Sequence, residues 1–420
     1  MNQESLSGRR ILYYAHDSFG LGHLRRTLAI AHDMSREPGV ESQLVVTGSP
    51  ATASFPWPAR TDFVKLPVIT KDAQGAYTSR DLPLPLREAC RLRGSLLLAA
   101  GRHYAPDLLL VDHSPLGLGG EALPLLRFLK AHRPRCRIVL GLRDVIDEPE
   151  KVRRAWRAEG VYDAMSEIYD QILVYGDPSM VDVARAYGLP EQAARKLHYV
   201  GYLRRQAAVD PEPWPAAPGR QRILVTAGGG GDASDFFRLT GDTLALLAAG
   251  RRISARIITG PFLPPVARMA LDTIAAARPE IRVEPFCPDL VGAMNQADLV
   301  ISMGGYNTAC EILSVPSRAL ILPRTSPRRE QAIRADRLSQ LGLVETALPE
   351  RTSPAQLAAR IGVLLDAGPG HREPLLPMDG LERTSAALRR LLVDDRLAPR
   401  PRAAADPGRI QPRLVWEGVR

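Results

Sequence analysis

Short apolar runs alternate with stretches of helical periodicity along the whole chain, and this alternation predicts parallel βαβ units. In the first half, strand-sized runs lie at 10–14, 43–46, 62–65, 108–112, 137–140 and 171–174, and 199–203 closes the half. Helical spacing between them covers 24–34, 86–102 and 152–159. The segment DPEPWPAAPG at 210–219 then breaks the pattern, since its prolines fit neither regular helix nor interior strand. The pattern restarts with a strand over 222–226 and a helix over 234–249. Strands follow at 255–259, 281–284, 299–302, 319–322 and 343–346, with further helices at 354–365 and 381–392. The fold class predicted is α/β, with two Rossmann-like domains facing a cleft: 1–208, a linker over 209–219, and 220–397. The Pro-, Arg- and Ala-rich tail from 398 to 420 is expected to be poorly ordered.

Composition agrees with two domains: 420 residues exceed one ordinary core, and 45% hydrophobic content is that of a soluble globular chain. No apolar run approaches the roughly 20 residues of a membrane-spanning helix. The opening stretch MNQESLSGRRILYY has no signal-peptide core, so a cytoplasmic protein is expected, with peripheral contact at the inner membrane face left open. The net charge of +9 comes mostly from arginine; lysine occurs only at 65, 71, 130, 151 and 196. A basic surface suits phosphates or anionic lipid, but no aromatic-interleaved basic run points to nucleic acid. Cys90, Cys136, Cys287 and Cys310 form no metal-binding or CxxC spacing and are expected to be free thiols.

Three segments carry candidate chemistry. The first is DSFGLGHLRR at 17–26, between a strand and a helix. Gly20 and Gly22 allow a tight turn, and His23 at the helix start is a candidate base kept neutral by the helix dipole. A loop with a capping histidine explains the same residues equally well. The segment is not a dinucleotide fingerprint, because Arg25 stands where the third glycine would be. Arg25 and Arg26 either counter an anion or form surface ion pairs. The second is AGGGGDAS at 227–234, where Gly228, Gly229, Gly230 and Gly231 offer bare amides to a pyrophosphate; no GK[ST] follows, so it is not a Walker loop.

The third segment spans 301–331, ISMGGYNTACEILSVPSRALILPRTSPRREQ. After Ser302, Gly304 and Gly305 make a turn, and Asn307 and Thr308 open a helix whose N-terminus suits an anion. Glu311, one turn on, is placed to accept from a ribose diol. Arg328, Arg329, Glu330 and Gln331 start a later helix and are candidates for sugar or phosphate contact, or an exposed helix start. Asp112 and His113 end one strand, and Arg143 and Asp144 follow another; each is a candidate acceptor contact or orienting group, with structural ion pairing or turn formation explaining them as well, and Arg26 is a further acceptor-side candidate. An apolar acceptor face has possible contributors at 81–86 (DLPLPL) and 96–98.

Taken together, the three segments resemble type-B glycosyltransferases of family 28, the lipid II-forming N-acetylglucosaminyltransferase kind, and a bacterial group sharing the GLGHLRR start. The resemblance covers most of 9–393. It implies a GT-B fold and a hexosyltransferase that moves a hexose or N-acetylhexosamine from a UDP-sugar to an acceptor hydroxyl. No metal or other cofactor is implied; the UDP-sugar is a co-substrate, and the acceptor is a glycan, a lipid-linked group or a small molecule. His23 falls on the family's glycine-loop histidine, Gly228 to Gly231 on its diphosphate loop, and Glu311 on its ribose-binding glutamate. Glu330 and Gln331 fall on its sugar-contacting pair, commonly two glutamines. The GxGHxxR start also resembles a nucleotide-sugar hydrolase in which this histidine position activates water. A non-catalytic nucleotide-sugar-binding protein is the third reading.

Overall fold

The computed structural model describes residues 8–16, 22–71, 77–204, 213–214, 219–368 and 375–393. The chain divides into two compact units, one running to Tyr202 and resuming at Asp379, the other Leu203–Met378.

The first unit holds β1 (Arg9–Ala15), β2 (Val40–Thr47), β3 (Thr61–Lys65), β4 (Ile69–Lys71), β5 (Tyr77–Ser79), β6 (Leu108–Asp112), β7 (Arg137–Arg143), β8 (Gln171–Tyr175) and β9 (Leu197–Tyr199). Seven of these form one sheet in the order β3-β2-β1-β6-β7-β8-β9, with every pairing parallel. The central strand β1 buries Ile11, Leu12, Tyr13, Tyr14 and Ala15 completely, as a parallel strand covered on both faces must. Sequence order reverses direction at β1, so the gap between the carboxyl ends of β1 and β6 is the switch point where such sheets bind ligands. The hairpin β4–β5 is antiparallel and was not expected from the alternation.

The second unit repeats the plan with β10 (Gln221–Thr226), β11 (Ile253–Ile258), β12 (Ile281–Glu284), β13 (Leu299–Ser302), β14 (Arg318–Ile321) and β15 (Glu345–Thr346). Their order is β12-β11-β10-β13-β14-β15, again parallel, which puts the second switch point between β10 and β13. Both units are Rossmann-like.

Three boundary expectations change. The helix Gly380–Val393, expected to complete the second domain of 220–397, belongs to the first unit: Gly380 N–H donates to Tyr202 O at 3.0 Å, and Arg389 pairs with Glu37. Its periodicity is the same on either surface; only the long-range partners differ. The first unit ends at Tyr202 rather than 208. Within the expected linker, Trp214 is buried on the second unit, its Nε1 donating to Ser254 Oγ at 3.0 Å and its ring 5.4 Å from the Arg256 guanidinium. Residues 209–212 and 215–218 and the tail from 398 lie outside the described residues. Helices Leu123–His132 and Pro265–Ala277 were not read from the sequence; each carries a proline in its first turn, where the missing N–H costs no helical bond. No helix among the described residues is long and apolar enough to cross a membrane.

Candidate functional site

At the switch point of the first unit the helix Gly22–Met34 starts beside the end of β6. Gly20 lies outside the described residues; Gly22 is the helix's first residue and His23 its second. His23 Nδ1 lies 2.6 Å from Asp112 Oδ2, and Arg143 Nη2 lies 3.2 Å from Nε2. Arg26 Nη2 also lies 3.1 Å from Nδ1 but donates at 2.6 Å to Asp112 Oδ2; the shorter contact of Nδ1 with a carboxylate that only accepts assigns the proton to Nδ1 and the lone pair to Nε2. Asp112 is held in turn by Arg26, whose Nε donates to Oδ1 at 2.8 Å and Nη2 to Oδ2 at 2.6 Å.

Of the two expectations for Arg26, countering an anion or forming a surface ion pair, the structure shows the first with a carboxylate: its side chain is 1% exposed and Asp112's 3%, so this is a buried, two-pronged ion pair whose accessible product is the oriented imidazole, 14% exposed. Burial is the largest influence on the His23 pKa and lowers it well below the ordinary value; Arg143 and His16 lower it further against the opposing pull of Asp112. The imidazole is therefore neutral near pH 7, for reasons beyond the expected helix dipole. Burial alone would raise the Asp112 pKa, but Arg26 and His23 outweigh it and hold the carboxyl below the usual range.

Two further imidazoles join His23: His113, a strand-end candidate in the sequence, at a ring distance of 5.4 Å, and His16, not singled out there, at 4.5 Å. His113 has φ +65 and donates its N–H to Gly141 O at 2.7 Å, a left-handed turn that brings its ring back over the end of β6. Gly141 leaves room for Tyr175, since a Cβ there would lie 2.2 Å from the phenol oxygen, and Tyr175 carries the Arg26 guanidinium over its ring at 5.3 Å. A second buried pair holds the residue that follows β1. Arg93 Nε and Nη2 donate to Glu121 at 2.6 Å each, and Arg93 also caps the carbonyls of His16 at 2.9 Å and Pro67 at 2.6 Å.

The second unit gathers the other sequence-singled residues at the ends of β10, β13 and β14. Gly228 and Gly230 have φ +66 and +82. A Cβ on Gly230 would lie 2.0 Å from Thr259 O, so this glycine is demanded by the neighbouring backbone. Gly229 O accepts from Phe262 N at 2.9 Å, which ties the same loop to the turn after β11. The Gly228 position faces Thr308 Oγ1 at 3.9 Å, so the loop adjoins the start of the helix Tyr306–Leu313.

That helix begins one residue earlier than expected, with Asn307 and Thr308 in its first turn. Its N-cap Gly305 offers no side chain to the first-turn amides. Ser302 Oγ accepts from Gly304 N at 3.1 Å, and Gly304, at φ +70, would place a Cβ 2.7 Å from Ile321 Cγ2. Glu311 is 1% exposed. Glu330 and Gln331 begin the helix Glu330–Gln340 after its N-cap Arg329; they are buried rather than an exposed helix start. Two arginines here were missed. Arg334, buried under the helix, donates to Gly304 O at 3.3 Å and lies 5.5 Å from the Tyr306 ring. Arg324 reaches Asp232 and Glu330. Buried arginines escape sequence reading because arginine is an exposed residue by default. Among the described residues no group of His, Cys, Asp and Glu is arranged to hold a metal ion.

Residues 222–370 match the glycosyltransferase family 28 C-terminal domain. The chain is 31% identical over 156 residues to the UDP-N-acetylglucosamine–N-acetylmuramyl-(pentapeptide) pyrophosphoryl-undecaprenol N-acetylglucosamine transferase of Mesorhizobium japonicum, covering 37% of this chain and 41% of the relative. The protein of the same name from Methylobacterium nodulans is 25% identical over 356 residues, 82% of this chain and 86% of the relative. The chain spans about half the length of most of the curated relatives it matches. The crystal structure of MurG from Acinetobacter baumannii superposes with a TM-score of 0.52 at 14% identity, covering 91% of this chain and 95% of that one, a likeness of fold.

Proposed function

We propose, for a chain whose residues 222–370 belong to the glycosyltransferase family 28 C-terminal domain on a GT-B fold, that it transfers a hexose or N-acetylhexosamine from a UDP-sugar to an acceptor hydroxyl without a metal. The observation that carries the reading is the neutral His23 imidazole, with its Nδ1 against Asp112 and its Nε2 facing only the exchangeable Arg143 donor at 3.2 Å. The acceptor oxygen attacks the anomeric carbon, its proton passes to Nε2, and the carbon–oxygen bond to the diphosphate breaks with its electron pair leaving on the phosphate. The second unit binds the donor: the glycine loop and the N-terminus of the helix Tyr306–Leu313 favour the diphosphate, Glu311 the ribose, and Glu330 with Gln331 the sugar. In the first unit, Arg143 competes for Nε2 as a donor and holds the imidazole in place until a hydroxyl replaces it.

A lipid-linked acceptor, the class named in the relatives' own descriptions, fits one surface of the first unit. On the helix Leu86–Tyr104, Leu92 and Leu96 are 39% and 38% exposed, one turn apart, and Arg87 and Arg91 beside them are exposed. This extends the apolar stretches at 81–86 and 96–98, of which Leu82 is exposed and Leu97 buried. The test incubates the full chain with labelled UDP-sugars, with and without undecaprenyl-diphosphate-linked saccharides. Glycosylated acceptor from wild type, and a rate at least about 100-fold lower in His23→Gln, is the expected result. Free sugar released at the same rate with and without acceptor would make water the nucleophile instead. UDP binding without turnover on any donor would reduce the chain to a binding protein.

A further inference from the structure

Arg324 sits on the loop that follows β14, and its guanidinium joins two parts of the second unit that are distant in sequence. Nη1 donates to Asp232, the residue directly after the four glycines, and Nη2 lies 3.3 Å from Glu330 Oε1. Its backbone N–H donates to Gln331 Oε1 at 3.1 Å. The guanidinium therefore lies between the glycine loop and the Glu330–Gln331 pair. Its side chain is 21% exposed, and its buried Nε has no hydrogen-bond partner among the described residues. An unsatisfied guanidinium N–H is costly unless something completes it.

From this geometry we infer that Arg324 is a phosphate-reading residue: it binds the β-phosphate of the donor, and the Asp232 carboxylate occupies its fork while no donor is bound. The inference rests on the donor reading given above and assigns one residue within it. The β-phosphate is the half of the diphosphate that joins the sugar, so it is the group that must lie between an α-phosphate at the glycine loop and a sugar at Glu330 and Gln331. It is also the group on which the electron pair arrives when the bond to the anomeric carbon breaks. A planar guanidinium with a spare Nε–H beside Nη donors matches two phosphate oxygens, which a lysine ammonium cannot do. Asp232, 42% exposed at the loop's end, opposes the incoming phosphate by like charge and by holding Arg324.

The experiment is isothermal titration calorimetry of the full chain with UDP, UMP and uridine, on wild type, Arg324→Gln and Asp232→Asn. Arg324→Gln is expected to weaken UDP by about 10- to 100-fold while leaving UMP and uridine within about twofold of wild type. Asp232→Asn, which removes the competing charge, is expected to tighten UDP several-fold with little change for uridine. Equal losses for UDP and UMP in Arg324→Gln, or an unchanged UDP-to-UMP ratio in both variants, would overturn the assignment. Failure of wild type to bind any of the three would overturn the donor reading itself, a different result.

Discussion

Asp112 does two things with one carboxylate, and replacing it with asparagine separates them. It compensates Arg26, through bonds of 2.8 and 2.6 Å between side chains 1% and 3% exposed. Removing its charge leaves a guanidinium buried without a counter-ion, which costs about 3–5 kcal/mol. For a unit of this size each kcal/mol moves the midpoint by about 2–4 °C, so Asp112→Asn should unfold roughly 6–20 °C lower. It also fixes the proton of His23 on Nδ1. An asparagine can present either its carbonyl or its amide N–H to that nitrogen, so the base is no longer held in one tautomer, and turnover should fall by about 10²–10⁴-fold. The double variant Arg26→Gln/Asp112→Asn removes both charges. It should recover much of the stability, because the uncompensated ion is gone, and none of the rate. Circular dichroism melting gives the first quantity and initial transfer rates well below every transition give the second. A double variant whose rate returns in step with its stability would refute the orienting role, as would a single variant that unfolds early yet turns over normally.

The depressed His23 pKa makes a base that survives mild acid: kcat/KM should hold as pH falls past the ordinary histidine value of 6.5 and decline only below it. Arg143→Gln removes the largest charge-based depression and should move that limb upward, as read from pH–rate profiles. The same group affects stability with a definite sign. An imidazole held neutral in the fold but protonated in the unfolded chain makes stability rise with pH through this region and fall as pH drops below 6.5. In the glycine loop, Gly230→Ala should lower nucleotide affinity far more than Gly228→Ala in titration calorimetry. Both replacements meet a positive φ, costing about 1–2 kcal/mol, but only the first drives a Cβ to 2.0 Å from a backbone oxygen. Trp214→Ala should destabilise the second unit by about 3–5 kcal/mol in denaturant unfolding, because the side chain is 6% exposed and bonded to Ser254.

The alternation of apolar runs located both sheets because strands such as β1 and β10 are buried on both faces and so read as continuous apolar blocks. Glycines at strand ends located the second switch point, since positive φ at Gly228, Gly230 and Gly304 leaves a compositional trace. What the pattern could not carry is pairing across distance. Arg26 meets Asp112 86 residues away, and Arg93 meets Glu121 28 residues away. In each case the arginine lies in a helical pattern that looks solvated, and the partner that makes its burial tolerable is outside any local window. The return of Gly380–Val393 to the first unit is hidden for the same reason: amphipathic spacing says that a helix has a buried face and is silent on what covers it.

The two switch points share a topology and differ in material, and the difference has a measurable consequence. In the first unit the groups are side chains that titrate: His23 with His16 and His113 each within 5.4 Å of it, set against Arg26, Arg143 and Asp112. In the second they are chiefly backbone, shaped by glycines at the Thr259 and Ile321 contacts and flanked by carboxylates and arginines. Of the chain's eight histidines only His371 falls within 203–378, and it lies outside the described residues. A UDP-sugar diphosphate, being diesterified, has no proton to gain or lose between pH 6 and 8. Donor affinity should therefore stay within about twofold by calorimetry as pH falls from 8 to below 6.5, the region in which turnover begins to lose rate on the acid limb of His23. A donor affinity that collapses in parallel with turnover would mean that donor binding depends on a titrating group, and that His23 or a neighbour acts on the donor rather than on the attacking hydroxyl.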